Sequence, residues 1–110
     1  MTFDGRPALK DELARTRTRL AALLGDHAAI VEASAGSNAD DEHDPEGATI
    51  AFERSQVGSL VRQTRQHCLE LEAALRRVDD ATYGVCEGCG EQIPTARLEA
   101  RPVARRCVGC

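Results

Sequence analysis

Aromatic side chains are nearly absent: Phe3, Phe52 and Tyr83 make up 3% of the chain, and there is no Trp. That removes the material for a thick aromatic core and for a platform on which single-stranded nucleic-acid bases could stack. Long apolar runs are missing too. No window approaches the roughly 18 consecutive apolar residues of a membrane span. Residues 1–10 lack the basic start and apolar run of a signal peptide, so a cytoplasmic protein without membrane contact is expected. There is no surplus of positive charge, with 18 acids against 14 Lys and Arg. A duplex binder displaces counterions with an excess of bases, so sequence-specific DNA binding is not expected. A Gly-rich phosphate loop and a nucleophile beside an oriented base are also lacking, which argues against an enzyme. What remains at 110 residues, 42% hydrophobic and 29% charged, is one small unit, or one unit with an extension.

The acids are unevenly placed. Residues 37–47 hold Asp40, Asp41, Glu42, Asp44 and Glu46 and no base, whereas acids and bases nearly balance on either side, so this segment carries the net charge of −4. Before it, Leu9, Leu13, Thr16, Leu20, Leu23, His27, Ile30 and Ser34 recur at alternating steps of four and three. With Pro7 in a first turn and Gly36 as a stop, the pattern predicts a helix from about Pro7 to about Ala35. After it, Ile50, Arg54, Val57, Val61, Thr64, Cys68, Leu71, Leu75 and Val78 repeat the same steps over a second helix, Ala48 to Asp80. Arg54 interrupts that seam and Gly58 weakens the helix by roughly 1 kcal/mol relative to Ala, so the turn-proximal end is expected to be the looser one.

Such a helix would be about 50 Å long. Two of them joined by a short polar connection lie antiparallel, with the acids displayed at the tip of a finger. The expected architecture is mainly α, an antiparallel two-helix coiled-coil hairpin over residues 1–82 with its tip at about 37–47. A small four-cysteine finger follows at 83–110. Seams satisfied within the hairpin imply a monomer.

Five cysteines in a reducing compartment are poor candidates for structural disulfides. Four of them form two Cys-x-x-Cys knuckles, Cys86 with Cys89 and Cys107 with Cys110, seventeen residues apart. This is the spacing of a tetrahedral structural zinc site, in which each pair sets two sulfurs on a tight turn and Gly88, Gly90 and Gly109 supply permissive dihedrals. Four protein ligands leave no open position for water, so one structural Zn²⁺ is expected, with iron the chemical alternative. A redox role would call for a strand-to-helix junction in a βαβ pattern, which the sequence lacks. Cys68 falls on the helical seam and reads as a small buried hydrophobe. His27 and His67, without a second ligand pair nearby, read as packing or surface residues.

The run Tyr83-Gly84-Val85-Cys86-Glu87-Gly88-Cys89-Gly90, then Ile93-Pro94, then Arg97-Leu98-Glu99-Ala100-Arg101-Pro102, then Cys107 and Cys110, resembles the zinc-finger signature of the DksA/TraR family. The preceding hairpin resembles that family in architecture more than in sequence. The resemblance implies a regulator that binds bacterial RNA polymerase and inserts its coiled-coil tip into the secondary channel without reading a promoter sequence. Counting back from Cys86 lays the family's acidic tip pattern on residues 43–48. Asp44, Glu46 and Ala48 become the functional tip, while His43 departs from the family's first Asp.

Some family members also bind guanosine tetraphosphate through basic residues. The same count places Gln63, His67 and Glu70 at those helix positions, and the sequence ends at Cys110, so independence from the alarmone is expected. Two other classes stay in view. One is a zinc-ribbon DNA binder relying on Arg97, Arg101, Arg105 and Arg106; the other is an interaction module for some other protein.

Overall fold

The structure is a computed structural model that describes residues 4–35 and 45–110, with side chains described for 4–33 and 48–110. It is mainly helical: α1 spans Arg6–Ala35, α2 spans Pro45–Asp79, and a short α3 spans Thr95–Ala100. Among the described residues there is one isolated antiparallel bridge, Val85 with Gln92, and no strand. The expected tip residue Asp44 lies outside the described residues, as does most of the acidic segment. Glu46 falls in the first turn of α2, and Ala48 is exposed.

α1 begins within a residue of where the seam places it. The Leu9 amide closes the first helical hydrogen bond on the Gly5 carbonyl at 2.8 Å, and the Asp4 carboxylate accepts from the Arg6 amide at 3.1 Å. α2 begins three residues before Ala48. Pro45 opens the helix, because a proline in the first turn loses no intrahelical hydrogen bond and brings a helical φ with it. At its other end α2 closes on Ala81, whose φ of 61° lies in the left-handed region. The Ala81 amide reaches the Val78 carbonyl at 3.2 Å and the Thr82 amide reaches the Arg77 carbonyl at 2.9 Å, the paired bonds of a left-handed C-cap.

Contacts divide the described residues into two compact units, each built from parts of both long helices. The unit made of 16–35 with 45–66 buries Thr16, Val61 and Thr64. The Thr64 hydroxyl donates to the Leu60 carbonyl at 2.7 Å, one turn back, so this buried hydroxyl is satisfied. Further along, Leu20, Leu23, His27, Ile30, Ile50 and Val57 are only half-buried, and Arg54 is exposed.

The other unit joins 4–15 with 67–110. Leu9, Leu13, Cys68, Leu71 and Ala74 form its helical core, with Leu9, Leu71 and Ala74 fully buried. The chain directions are opposed: the Arg6 guanidinium meets Asp79 at 2.8 Å, and Glu12 meets the His67 ring at 3.2 Å. Tyr83 adds a lock. Its half-buried ring lies over Gly5, where a β-carbon would stand 2.6 Å from the ring atoms, and its hydroxyl donates to the Pro102 carbonyl at 2.8 Å. Burial pushes the phenol pKa up from its ordinary value near 10.

These contacts separate the glycines by the space around them. Among the described residues, a β-carbon at Gly25 meets nothing within 4 Å, and one at Gly58 meets Arg62 and His27 at 3.6 and 3.8 Å, ordinary contact distances. Gly25→Ala and Gly58→Ala should each stabilise the protein by about 0.5–1 kcal/mol. Gly5→Ala should lower the melting temperature by displacing the Tyr83 ring. Thermal unfolding of the three variants, followed by circular dichroism, checks the ordering; a Gly5→Ala protein as stable as the other two would contradict it.

Candidate metal centre

The finger is assembled from turns that only part of its sequence announces. Gly84 and Gly90, at φ 84° and 76°, supply the left-handed dihedrals before and after the first knuckle. Between them the Cys86 amide donates to Glu91 O at 2.8 Å, the Gly90 amide to Cys86 O at 2.9 Å, and the Ile93 amide to Gly84 O at 2.7 Å. These bonds fold 84–93 back on itself. The Glu87 amide then donates to the Arg105 carbonyl at 2.9 Å, which brings the second knuckle alongside the first. Beneath them Cys86, Ile93, Leu98 and Ala104 form a small buried cluster, with Tyr83 and Cys107 packed against it. α3 exists largely to deliver Leu98 to that cluster.

The four expected ligand thiols, those of Cys86, Cys89, Cys107 and Cys110, converge: their sulfurs all lie within 4.8 Å of one another. Cys107 Sγ is 3.4 Å from Cys110 Sγ and 3.8 Å from Cys89 Sγ. Among the described residues no other group of three or more His, Cys, Asp and Glu side chains gathers in this way. Cys68 is buried in the helical core, where its thiol packs as an apolar group.

The surroundings of the sulfurs are those of metal ligands. Backbone amides of Cys107, Cys89 and Gly88 point at Cys86 Sγ and draw its pKa down to about 6; the Cys107 and Gly88 contacts measure 3.3 and 3.4 Å. The neighbouring thiols of Cys107, Cys86 and Cys89 push Cys110 up to about 12. Four sulfurs this close repel one another as thiolates, and a divalent cation at their centre removes the conflict. Nor is there room for a bulkier knuckle. A β-carbon on Gly88 would stand 3.1 Å from Cys110 Cβ and 3.2 Å from its sulfur.

Several residues that shape this site carry no metal-like signal in the sequence. Ile93, Leu98 and Ala104 are spaced irregularly, so no periodicity marks them as one cluster. Arg97, set down above as a possible DNA contact, donates through Nε to the Arg106 carbonyl at 2.8 Å and so braces the chain just before Cys107. His67, set apart from the metal, pairs with Glu12.

A four-thiol site on a short finger, following a pair of long helices, defines a C4 zinc-finger protein. The family described as prokaryotic dksA/traR C4-type zinc finger matches residues 81–110. General stress protein 16O of Bacillus subtilis (strain 168) is 39% identical over 72 residues, 66% of this chain and 44% of that protein. The RNA polymerase-binding transcription factor DksA of Escherichia coli (strain K12) is 46% identical over 41 residues, 37% of this chain and 27% of that protein. The chain thus spans less than half the length of these curated relatives. The solved structure of transcription factor DksA2 from Pseudomonas aeruginosa superposes with a TM-score of 0.81, covering 96% of this chain and 75% of that one. Sequence identity there is 21%, so that likeness is one of fold. Residues 81–110 thus carry a DksA/TraR-type C4 zinc finger.

With a core of four buried residues, the finger needs the binding energy of its metal to fold. Tyr83 is the sole tyrosine and there is no Trp, so the near-ultraviolet dichroism of Tyr83 reports the finger directly. Chelation, or Cys89→Ser, should remove one equivalent of zinc and collapse that signal. Gly88→Ala should weaken zinc retention by about tenfold, read by competition with a chelating dye. A finger that keeps its Tyr83 signal with less than one zinc per chain would contradict the assignment.

Proposed function

We propose that the protein is a cytoplasmic, monomeric transcription regulator that binds bacterial RNA polymerase and acts through its tip in the secondary channel. The observation that carries the reading is the dksA/traR finger at 81–110, set behind two long helices in the fold shared with DksA2. The E. coli and Salmonella proteins that match 41 residues of this chain at 46% identity bear the name RNA polymerase-binding transcription factor. Enzymatic activity has no place in this reading.

The acidic segment supplies the chemistry. Carboxylates at Asp44 and Glu46, brought near a polymerase active centre, would compete for or displace divalent cations and the basic groups that hold them. Ala48 completes the tip. Binding area would come from helix flanks and finger, with the effect on catalysis residing in the tip.

Polymerase is favoured over DNA by the charge of the finger. Arg97, Arg101, Arg105 and Arg106 stand among Glu87, Glu91 and Glu99, and a zinc tetrathiolate adds about two negative charges, which leaves no net basic surface.

Alanine at both Asp44 and Glu46 should abolish the effect on transcription while polymerase affinity stays within about threefold. Pull-down with core polymerase alongside a promoter assay separates the two quantities, and equal loss of both would contradict the division of labour. We infer further that regulation is independent of guanosine tetraphosphate. Gln63 and Glu70 stand where the family resemblance calls for cations, and a polyphosphate needs several charge-assisted hydrogen bonds. Inhibition of a ribosomal promoter by this protein should be unchanged by the nucleotide, on a polymerase stripped of its other alarmone site. A large synergistic increase would overturn this.

A further inference from the structure

The Cys86 sulfur differs from the other three in what can reach it. Cys89 and Cys110 are exposed and Cys107 is half-buried, whereas Cys86 is 2% exposed and belongs to the cluster of Ile93, Leu98 and Ala104 beneath the knuckles. Water can hydrogen-bond an exposed thiolate ligand; a buried one must take its hydrogen bonds from the chain. The Gly88 amide supplies one at 3.4 Å and the Cys107 amide another at 3.3 Å. Gly88 comes with the turn of the first knuckle. Cys107 lies 21 residues further along, so its amide has to be brought to the sulfur and aimed.

The aiming is done at the far end of the same peptide. The Arg106 carbonyl and the Cys107 amide belong to one planar trans unit, in which C=O and N–H point in opposite directions, so holding the oxygen sets the direction of the hydrogen. That oxygen accepts from Arg97 Nε at 2.8 Å. The other tie between the knuckles, the Glu87 amide on the Arg105 carbonyl at 2.9 Å, secures the preceding peptide and leaves the two dihedrals of Arg106 to be set by something else.

The result is a continuous chain: guanidinium to carbonyl, across the peptide, amide to sulfur. A charge-assisted bond to the carbonyl also polarises the peptide and strengthens the bond that its N–H makes. Arg97 is itself well placed to hold a fixed position. Its side chain is half-buried, its neighbour Leu98 is buried in the cluster, and its own amide and carbonyl bond Pro94 O at 3.0 Å and the Arg101 amide at 2.7 Å. A zinc tetrathiolate carries about two negative charges, and this chain delivers a donor to the one sulfur most shielded from water.

We propose that Arg97 is a positioning residue of the metal centre: acting through the Arg106–Cys107 peptide, it holds an amide on the buried Cys86 sulfur and so sets how tightly the finger retains its zinc. The role is separate from any contact with a partner and does not rest on the function proposed above.

Two substitutions separate the donor from the charge. Gln carries an amide nitrogen as many bonds from Cα as arginine carries Nε, without the charge, and Met carries a methyl group there. Zinc affinity of the full chain is read by competition with a chelating dye. Arg97→Met should weaken it by about tenfold, while Arg97→Gln stays within about threefold of the parent.

The second readout is the backbone amide spectrum of the isotopically labelled protein at saturating zinc. In Arg97→Met the Cys107 amide proton should move upfield as its bond to sulfur lengthens, and in Arg97→Gln it should stay near its parent position. The Gly88 amide bonds the same sulfur without depending on Arg97, so it should hold its place in both variants. Equal zinc affinity in all three proteins, equal weakening in the Gln and Met variants, or a Cys107 amide that does not move in Arg97→Met would each overturn the proposal. So would Gly88 and Cys107 amides that move together, or loss of the Tyr83 dichroism at saturating zinc in Arg97→Met, because either result makes Arg97 a brace for the finger as a whole.

Discussion

Four sulfurs held within 4.8 Å of one another set the terms for the finger. As thiolates they repel, and hydrogen bonding with the neighbouring thiols of Cys107, Cys86 and Cys89 pushes Cys110 up to about 12. As ligands around one divalent cation they become the strongest single constraint available to 28 residues that bury only Cys86, Ile93, Leu98 and Ala104. The local features around them serve that convergence. Gly88 leaves space against Cys110, Gly90 turns the chain after Cys89, and Arg97 holds the Arg106 carbonyl just ahead of Cys107.

From the finger the constraint passes to the helices through contacts that are few and specific. Tyr83, three residues before the first ligand, sits over Gly5 and donates to Pro102. The Ala81 cap stops α2 in time for the chain to turn into the finger. Arg6 with Asp79, and Glu12 with His67, tie α1 to α2 at exposed positions. Each exposed pair contributes on the order of 0–1 kcal/mol, so within this unit Leu9, Leu13, Leu71 and Ala74 supply most of the cohesion, and the ion pairs set which residues face one another.

Much of this could be read in the sequence because it is periodic or fixed by spacing. Of the positions that the four-and-three steps select, Leu9, Leu13, Thr16, Val61, Thr64, Cys68 and Leu71 are buried, Leu20, Leu23, His27, Ile30, Ile50, Val57, Leu75 and Val78 are half-buried, and Arg54, marked as the flaw, is exposed. The two knuckles name the four thiols that converge. What escaped the reading is of two kinds. Ala74 is fully buried, yet an alanine beside a seam carries no more pattern than one on a helix surface. The Gly5 to Tyr83 contact and the finger cluster join residues from distant parts of the chain, and no local rule pairs them. Pro45 was legible in principle: the same residue that punctuates a loop also favours the first turn of a helix, and here the second property prevails.

In function, the finger and helix pair define the kind of protein, and the acidic segment carries the proposed action on a polymerase. The most direct measurement is photo-crosslinking from a reactive amino acid placed at position 46 of the zinc-loaded protein, with bacterial RNA polymerase core as the target. The account predicts a zinc-dependent crosslink to the catalytic subunits, mapping within the channel that leads to the active centre. Crosslinks confined to the outer surface of the enzyme, crosslinks to DNA in its place, or equal yields with and without zinc would contradict it.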